Sequence, residues 1–265
     1  MSGNVREEQG FVDRATTLVN DHISYLSSRI DATKQAPGTG TGQDELEREA
    51  HLDNLHQQLN AALAARKRIC FGRLRFTTGE DNHVGRIGLR GEDGEVVLLD
   101  WRAPHAAAFY RATMKDPMGL ALRRRIASRV TSHGPEVTHV DDETFESESA
   151  IDTAAAKALD TPRDGRMADI LATIAADQDA IIRSPLELVT VVEGGPGTGK
   201  TVVALHRAAW LLYTYRERLS RDGVLIVGPS SVFLQYIDQV LPSLGETDVV
   251  LLTPDQFYPT VRPTS

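Results

Sequence analysis

The octapeptide Gly194-Gly195-Pro196-Gly197-Thr198-Gly199-Lys200-Thr201 constrains this chain more than any other feature. It fits G-x-x-x-x-G-K-[ST], a phosphate-binding loop that belongs between a strand and a helix. Glycines let the backbone wrap phosphate with its N–H groups inward, aided by the positive end of the following helix. The flanks comply: the β-branched run LVTVVEG (residues 188–194) precedes the loop, and the apolar ALHRAAWLLY (204–213) follows it. In this role Lys200 reaches the β and γ oxygens, and the Thr201 hydroxyl completes the shell of a Mg²⁺ ion. The expected ligand is ATP or GTP with Mg²⁺. The expected binding residues are Gly194, Gly195, Pro196, Gly197, Thr198, Gly199, Lys200 and Thr201, with Lys200 also catalytic and Thr201 also the metal ligand.

Helix and strand alternate around the loop. MADILATIAADQDAIIR (167–183) reads as a helix and LVTVVEG as a buried strand; after the loop helix come strand VLIVG (224–228), helix VFLQYIDQVL (232–241) and strand DVVLL (248–252). That order calls for a parallel sheet with helices packed on it. Residues 165–265 are therefore expected to be the first part of a P-loop (RecA-like) α/β domain, left incomplete. No apolar strand ending in Asp-Glu follows the loop, and no arginine finger is evident. The run VTHVDDE (137–143) imitates such a strand but precedes the loop, and reads as a structural strand end.

The front of the chain is of another kind. Val12, Val19 and Leu26 recur every seven residues, with Thr16, Ile23 and Ile30 alongside; Leu52, Leu55, Leu59, Ala62 and Ile69 follow a 3-4 spacing. Between them APGTGTG (36–42) holds a Pro and three Gly, which no helix interior tolerates. Residues 1–70 are expected to form an antiparallel helical hairpin of coiled-coil type, projecting about 40 Å if each arm has about 26 residues; two ordinary packed helices are the plainer outcome. Residues 71–145 read as a small antiparallel β region, with one turn at Gly91-Glu92-Asp93-Gly94 and another at Ser132-His133-Gly134. Its Arg123-Arg124-Arg125 run is either a solvated face or a holder of phosphate or an acidic protein surface. Residues 146–164 read as an acidic helix and linker.

Charge and cysteine content narrow the setting. The net charge is −8 and unevenly spread: residues 131–190 carry 4 basic against 13 acidic groups, and 71–130 carry 11 against 7. Such a chain is no general polyanion binder, so nucleic-acid contact by this portion is not expected. The single cysteine, Cys70, excludes an internal disulfide and suits a reducing, cytoplasmic setting; it is expected to be a buried apolar residue on a helix. The N-terminus lacks a signal-peptide pattern, and no apolar run approaches the ~20 residues of a membrane span.

The runs MADILATIAADQDAIIRSP, VVEGGPGTGKTVVALHRAAWLLY and VLIVGPSSVFLQYIDQVLPSLGE resemble superfamily 1 helicases of the UvrD/Rep type. With VGRIGLRGEDGEVVLLDWRAPHAAAFYRATMKDPMG and the hairpin, the chain more closely resembles the HelD family, bacterial helicase-like factors that bind RNA polymerase. The resemblance implies that Gln178 is the adenine-reading glutamine of the Q motif, that Gly195 to Thr201 form motif I, and that residues 229–231 lie near motif Ia. On its own, Gln178 would pass for a surface helix residue. The resemblance also implies a hairpin that enters the secondary channel of the RNA polymerase core. The factor, a monomer on the polymerase, would free it from nucleic acid for recycling, with NTP hydrolysis in the cycle. The later motifs would follow an insertion beginning near residue 265, so this portion alone is expected to be inactive. The tip departs from that of transcript-cleavage factors, having Asp31, Asp44 and Glu45 only at its shoulders, so wedging or anchoring suits it better than active-centre chemistry. A DNA-translocating repair helicase and a non-catalytic binding module with a vestigial loop are the alternatives.

Overall fold

The computed structural model describes residues 3–36, 42–91, 93–145, 171–244 and 249–257. The hairpin tip at 37–41, the acidic segment 146–164 and the first residues of the expected helix at 167–183 lie outside them.

Helices α1 (Gly3–Gln35) and α2 (Gly42–Ala65) form the expected antiparallel pair. Their seam is made by Leu26, Ile30 and Leu55, with Leu52 and Leu59 packed against it. The first half of α1 does something else. Val5, Phe11, Val12, Ala15 and Val19 share a core with Ile69, Cys70, Leu89, Leu98, Ile126 and Val137 of the neighbouring β unit. That stripe is wider than a coiled-coil seam, which is the mark of a helix laid on a sheet. The free arm therefore starts near residue 20 and spans about 25 Å at the helical rise, not 40 Å. Ile69 lies past the end of α2, in this sheet core. Cys70 opens a strand rather than ending a helix; its thiol is buried, and burial pushes its pKa up.

Six strands follow: β1 (Cys70–Phe76), β2 (Asp81–Gly85), β3 (Leu89–Arg90), β4 (Val96–Asp100), β5 (Leu120–Thr131) and β6 (Gly134–Thr144), in the order β3-β4-β2-β1-β5-β6. The two expected hairpins are present, β3–β4 around Gly91 and Gly94 and β5–β6 around His133. The sheet is not wholly antiparallel, because β2 and β4 run parallel, Val84 opposite Leu99. The short β3 intervenes, so β4 returns to β2 in the same direction. Helix α1 covers one face. Against the other stands α3 (Ala107–Arg111), close enough that a Cβ on Gly72 would lie 2.1 Å from Phe109 Cε2.

The remaining elements are α4 (Ala176–Ile182), α5 (Lys200–Thr214), α6 (Arg216–Asp222), β7 (Leu225–Val227), α7 (Ser231–Val240) and β8 (Val250–Leu252). Strands β7 and β8 pair in parallel, as their βαβ spacing requires. Ser230 caps α7, its hydroxyl accepting from Phe233 N–H at 3.3 Å. Two expectations fail. In its described part the helix through 167–183 is a 3-10 turn at 171–173 followed by α4, the two separated because Ala175 is extended at φ −77°, ψ 159°. Residues 188–194 are not a strand: none of the described strands pairs with them, and Val189 and Val191 are 95% and 77% exposed. A β-branched run becomes a strand only when a neighbour takes up its backbone hydrogen bonds. The described residues thus hold a two-stranded parallel sheet with helices, not a whole P-loop domain.

One apolar cluster joins the two regions. Phe71, Leu74, Trp101, Phe109 and Tyr110 of the sheet unit pack with Leu171, Ile182, Val203, Ala209, Ile237 and Leu241.

Candidate nucleotide-binding site

Gly197 and Gly199 take φ of 77° and 87°, left-handed values that a side chain avoids, and they turn the backbone sharply into α5. Lys200 is the first residue of that helix and Thr201 the second, so both sit where four backbone N–H groups lack intrahelical partners. The Lys200 ammonium donates to the carbonyls of Gly194 at 2.7 Å and Gly195 at 2.8 Å. Thr198 Oγ1 donates to Gly195 O at 2.9 Å and steadies the curl. Gly195, Pro196, Gly197 and Thr198 are exposed, and Lys200 and Thr201 half-buried. A loop with left-handed glycines, a lysine ammonium held against its backbone and a 15-residue helix behind it is chemically suited to phosphate. An incoming phosphate would offer Lys200 a charged acceptor in place of two neutral ones.

Gln178 is brought to this loop. It is the third residue of α4, and its Oε1 accepts the N–H of Ala175 at 3.2 Å, closing the helix start. Its Nε2 faces Gly199, where an added Cβ would lie only 3.2 Å away.

The residue beside it was not singled out from the sequence. Asp179 is fully buried, and its carboxylate accepts from Arg111 Nε at 2.6 Å and from Arg183 Nε at 2.8 Å. Arg183 also donates to the carbonyls of Trp101 at 2.6 Å, Arg102 at 2.9 Å and Ala103 at 3.3 Å. From the other side Arg207 of α5 donates to the carbonyls of Ile181, Ile182 and Ser184, the last at 2.6 Å. The only sequence trace of this clamp is the i, i+4 spacing of Asp179 and Arg183, which an exposed helical ion pair shares. Trp101 meets the ring of His206 edge-on at 5.4 Å. Burial lowers the His206 pKa to about 4, so the ring is neutral at pH 7.

The family model described as DNA helicase IV HelD, N-terminal domain, matches residues 5–158. The chain belongs to the HelD family. No curated protein matches it. The HelD match takes in the hairpin and the sheet and ends before the glycine-rich loop at 194–201, so it speaks for the front unit alone. Within that HelD unit two of the three residues of the arginine run, Arg123 and Arg124, are neither a solvated face nor ready phosphate holders, while Arg125 is half-buried with its side chain 38% exposed. Arg123 and Arg124 are 6% and 5% exposed. Arg124 pairs with Asp142 at 2.6 Å and Glu8 at 2.7 Å, and Arg123 donates to Glu143 at 2.9 Å. Asp142 and Glu143 at the end of VTHVDDE are thereby accounted for: they belong to strand β6 and neutralise these arginines. Among the described residues no group of three or more His, Cys, Asp or Glu could hold a metal ion, and no helix is long and apolar enough to cross a membrane.

Proposed function

We propose that the chain binds a magnesium–nucleoside triphosphate at residues 194–201 and is the front portion of a helicase-like ATPase that associates with bacterial RNA polymerase. The observation carrying the nucleotide reading is the approach of Gln178 to Gly199, which sets a carboxamide suited to an adenine edge beside a phosphate-shaped loop. Backbone N–H groups at the start of α5 and the Lys200 ammonium would hold the phosphates, Thr201 would hold Mg²⁺, and Gln178 would orient the base. When bound, the nucleotide supplies the γ-phosphoryl group whose hydrolysis the family resemblance implies. Lys200→Ala should remove the shift in unfolding temperature that MgATP gives the wild type, while far-UV circular dichroism keeps its helical signal. An undiminished shift in that variant would put the nucleotide elsewhere.

Polymerase association rests on the resemblance and on the free arm of α1 and α2, whose flanks stay exposed beyond residue 20. The family's description as DNA helicase IV favours a second reading, a DNA helicase. The pairing of Arg123 and Arg124 with carboxylates speaks against it for this portion, since it removes the densest cations from reach of a phosphate backbone. Capture of core RNA polymerase by the whole protein supports the first; ATPase activity raised by single-stranded DNA, without capture, supports the second.

A further inference from the structure

Helix α4 has seven residues, too few to hold a position by itself. Yet it carries Gln178, whose carboxamide must stand within ångströms of a particular place to read a base. What locates it is a clamp on two sides. Arg183 forks across the carbonyls of Trp101, Arg102 and Ala103 while holding buried Asp179, which Arg111 holds from the end of α3. Arg207 grips the last carbonyls of α4 from the phosphate-loop helix itself. Both members of the central pair are shielded, the side chain of Arg183 being 6% exposed and that of Asp179 fully buried.

We propose that Asp179 and Arg183 are positioning residues for nucleotide recognition: they lock the helix bearing Gln178 onto the Trp101–Ala103 segment of the sheet unit and thereby set the carboxamide against Gly199. This rests on the nucleotide reading above. The sheet unit is on this account half of the base site, although none of its residues lies in the phosphate loop. The hairpin is connected to the same seat, since α1 shares a core with β4, the strand that leads into Trp101.

The clamp acts on the base and not on the phosphates, which supplies the test. Affinities of the full 265-residue chain for MgATP and for magnesium tripolyphosphate are measured by calorimetry. Arg183→Lys keeps a charge near Asp179 but loses the planar fork. It should weaken MgATP by roughly tenfold, the scale of one base contact, and leave tripolyphosphate within about twofold. Arg111→Gln, at a side chain 37% exposed, is the milder change should Arg183→Lys fail to fold, and should lower MgATP affinity in the same direction without touching tripolyphosphate. Because the clamp works through Gln178, Arg183→Lys placed on Gln178→Ala should cost little more than Gln178→Ala alone. Equal weakening of both ligands, or full additivity in the double variant, would overturn the positioning role. A wild type that binds neither ligand would instead overturn the nucleotide reading, and this proposal with it.

Discussion

Glu8 on α1 and Arg124 on β5 meet at 2.7 Å across 116 residues of sequence, and Glu8 is fully buried when they do. Arg73 donates to the same oxygen, Oε1, at 3.0 Å, and the other oxygen, Oε2, lies 2.8 Å from His83 Nε2. Phe11 stacks on the His83 ring at 3.5 Å and screens the group from water. Burial alone would raise the Glu8 pKa. The hydrogen bonds from His83, Arg124 and Arg73 outweigh it and hold the carboxyl down to about 2. The root of the hairpin is thus bolted to the sheet by charge as well as by apolar contact.

Glu8→Gln should therefore lower stability by on the order of 3 kcal/mol, since it leaves Arg73 and Arg124 short of a buried counter-charge. Chemical denaturation at pH 7 measures it. The sign with pH follows from the lowered folded-state value. The unfolded carboxyl takes up its proton near 4.5 and the folded one only near 2, so the stabilisation is complete above 4.5 and is lost as pH falls towards 2. The difference between wild type and Glu8→Gln should shrink over that window.

Gly72→Ala should destabilise the sheet by about 1–3 kcal/mol, because the new methyl would enter the Phe109 ring and the backbone of a central strand cannot withdraw. Adding Phe109→Leu should recover part of the loss by opening room. A melt of the two variants decides.

Gly199→Ala should cost nucleotide affinity rather than fold. At φ 87° a side chain is strained by about 1–2 kcal/mol, and the methyl would press on Gln178 Nε2. Loss of at least tenfold in MgATP binding with a small change in unfolding temperature is expected, and calorimetry beside a thermal melt reads both.

The arm can be tested without harming its base. Removing the whole of residues 5–70 would strip Val5, Phe11, Val12, Ala15 and Val19 from the sheet core and unfold the front unit. Excising residues 27–55 and closing the gap with a short glycine–serine turn spares that core. Binding of core RNA polymerase should fall strongly, while the MgATP-induced rise in unfolding temperature persists. Undiminished capture of polymerase would remove the arm from the interface.

Local chemistry made much of this protein legible. The loop at residues 194–201 is a sequence of turn-forming glycines before a helix, so its shape is written in adjacent residues, and the hairpins around Gly94 and His133 follow from turn residues between strand-forming runs. The seam of Leu26, Ile30, Leu52, Leu55 and Leu59 repeats with the helix and could be read the same way. What lay beyond reach depends on partners distant in the chain. Arg123 and Arg124 look like solvent-facing cations until β6 brings Glu143 and Asp142 beside them and α1 brings Glu8. Asp179 looks like any acidic residue in a first helical turn until the segment at Trp101 supplies a seat for Arg183. Residues 188–194 carry strand chemistry without a strand, because a ladder requires a second chain segment and composition cannot supply one. The sequence by itself determined the elements whose hydrogen bonds close within a few residues. Only the tertiary structure decided which charges are buried and which extended run is paired, because desolvation and cross-chain hydrogen bonds depend on what arrives from elsewhere in the fold.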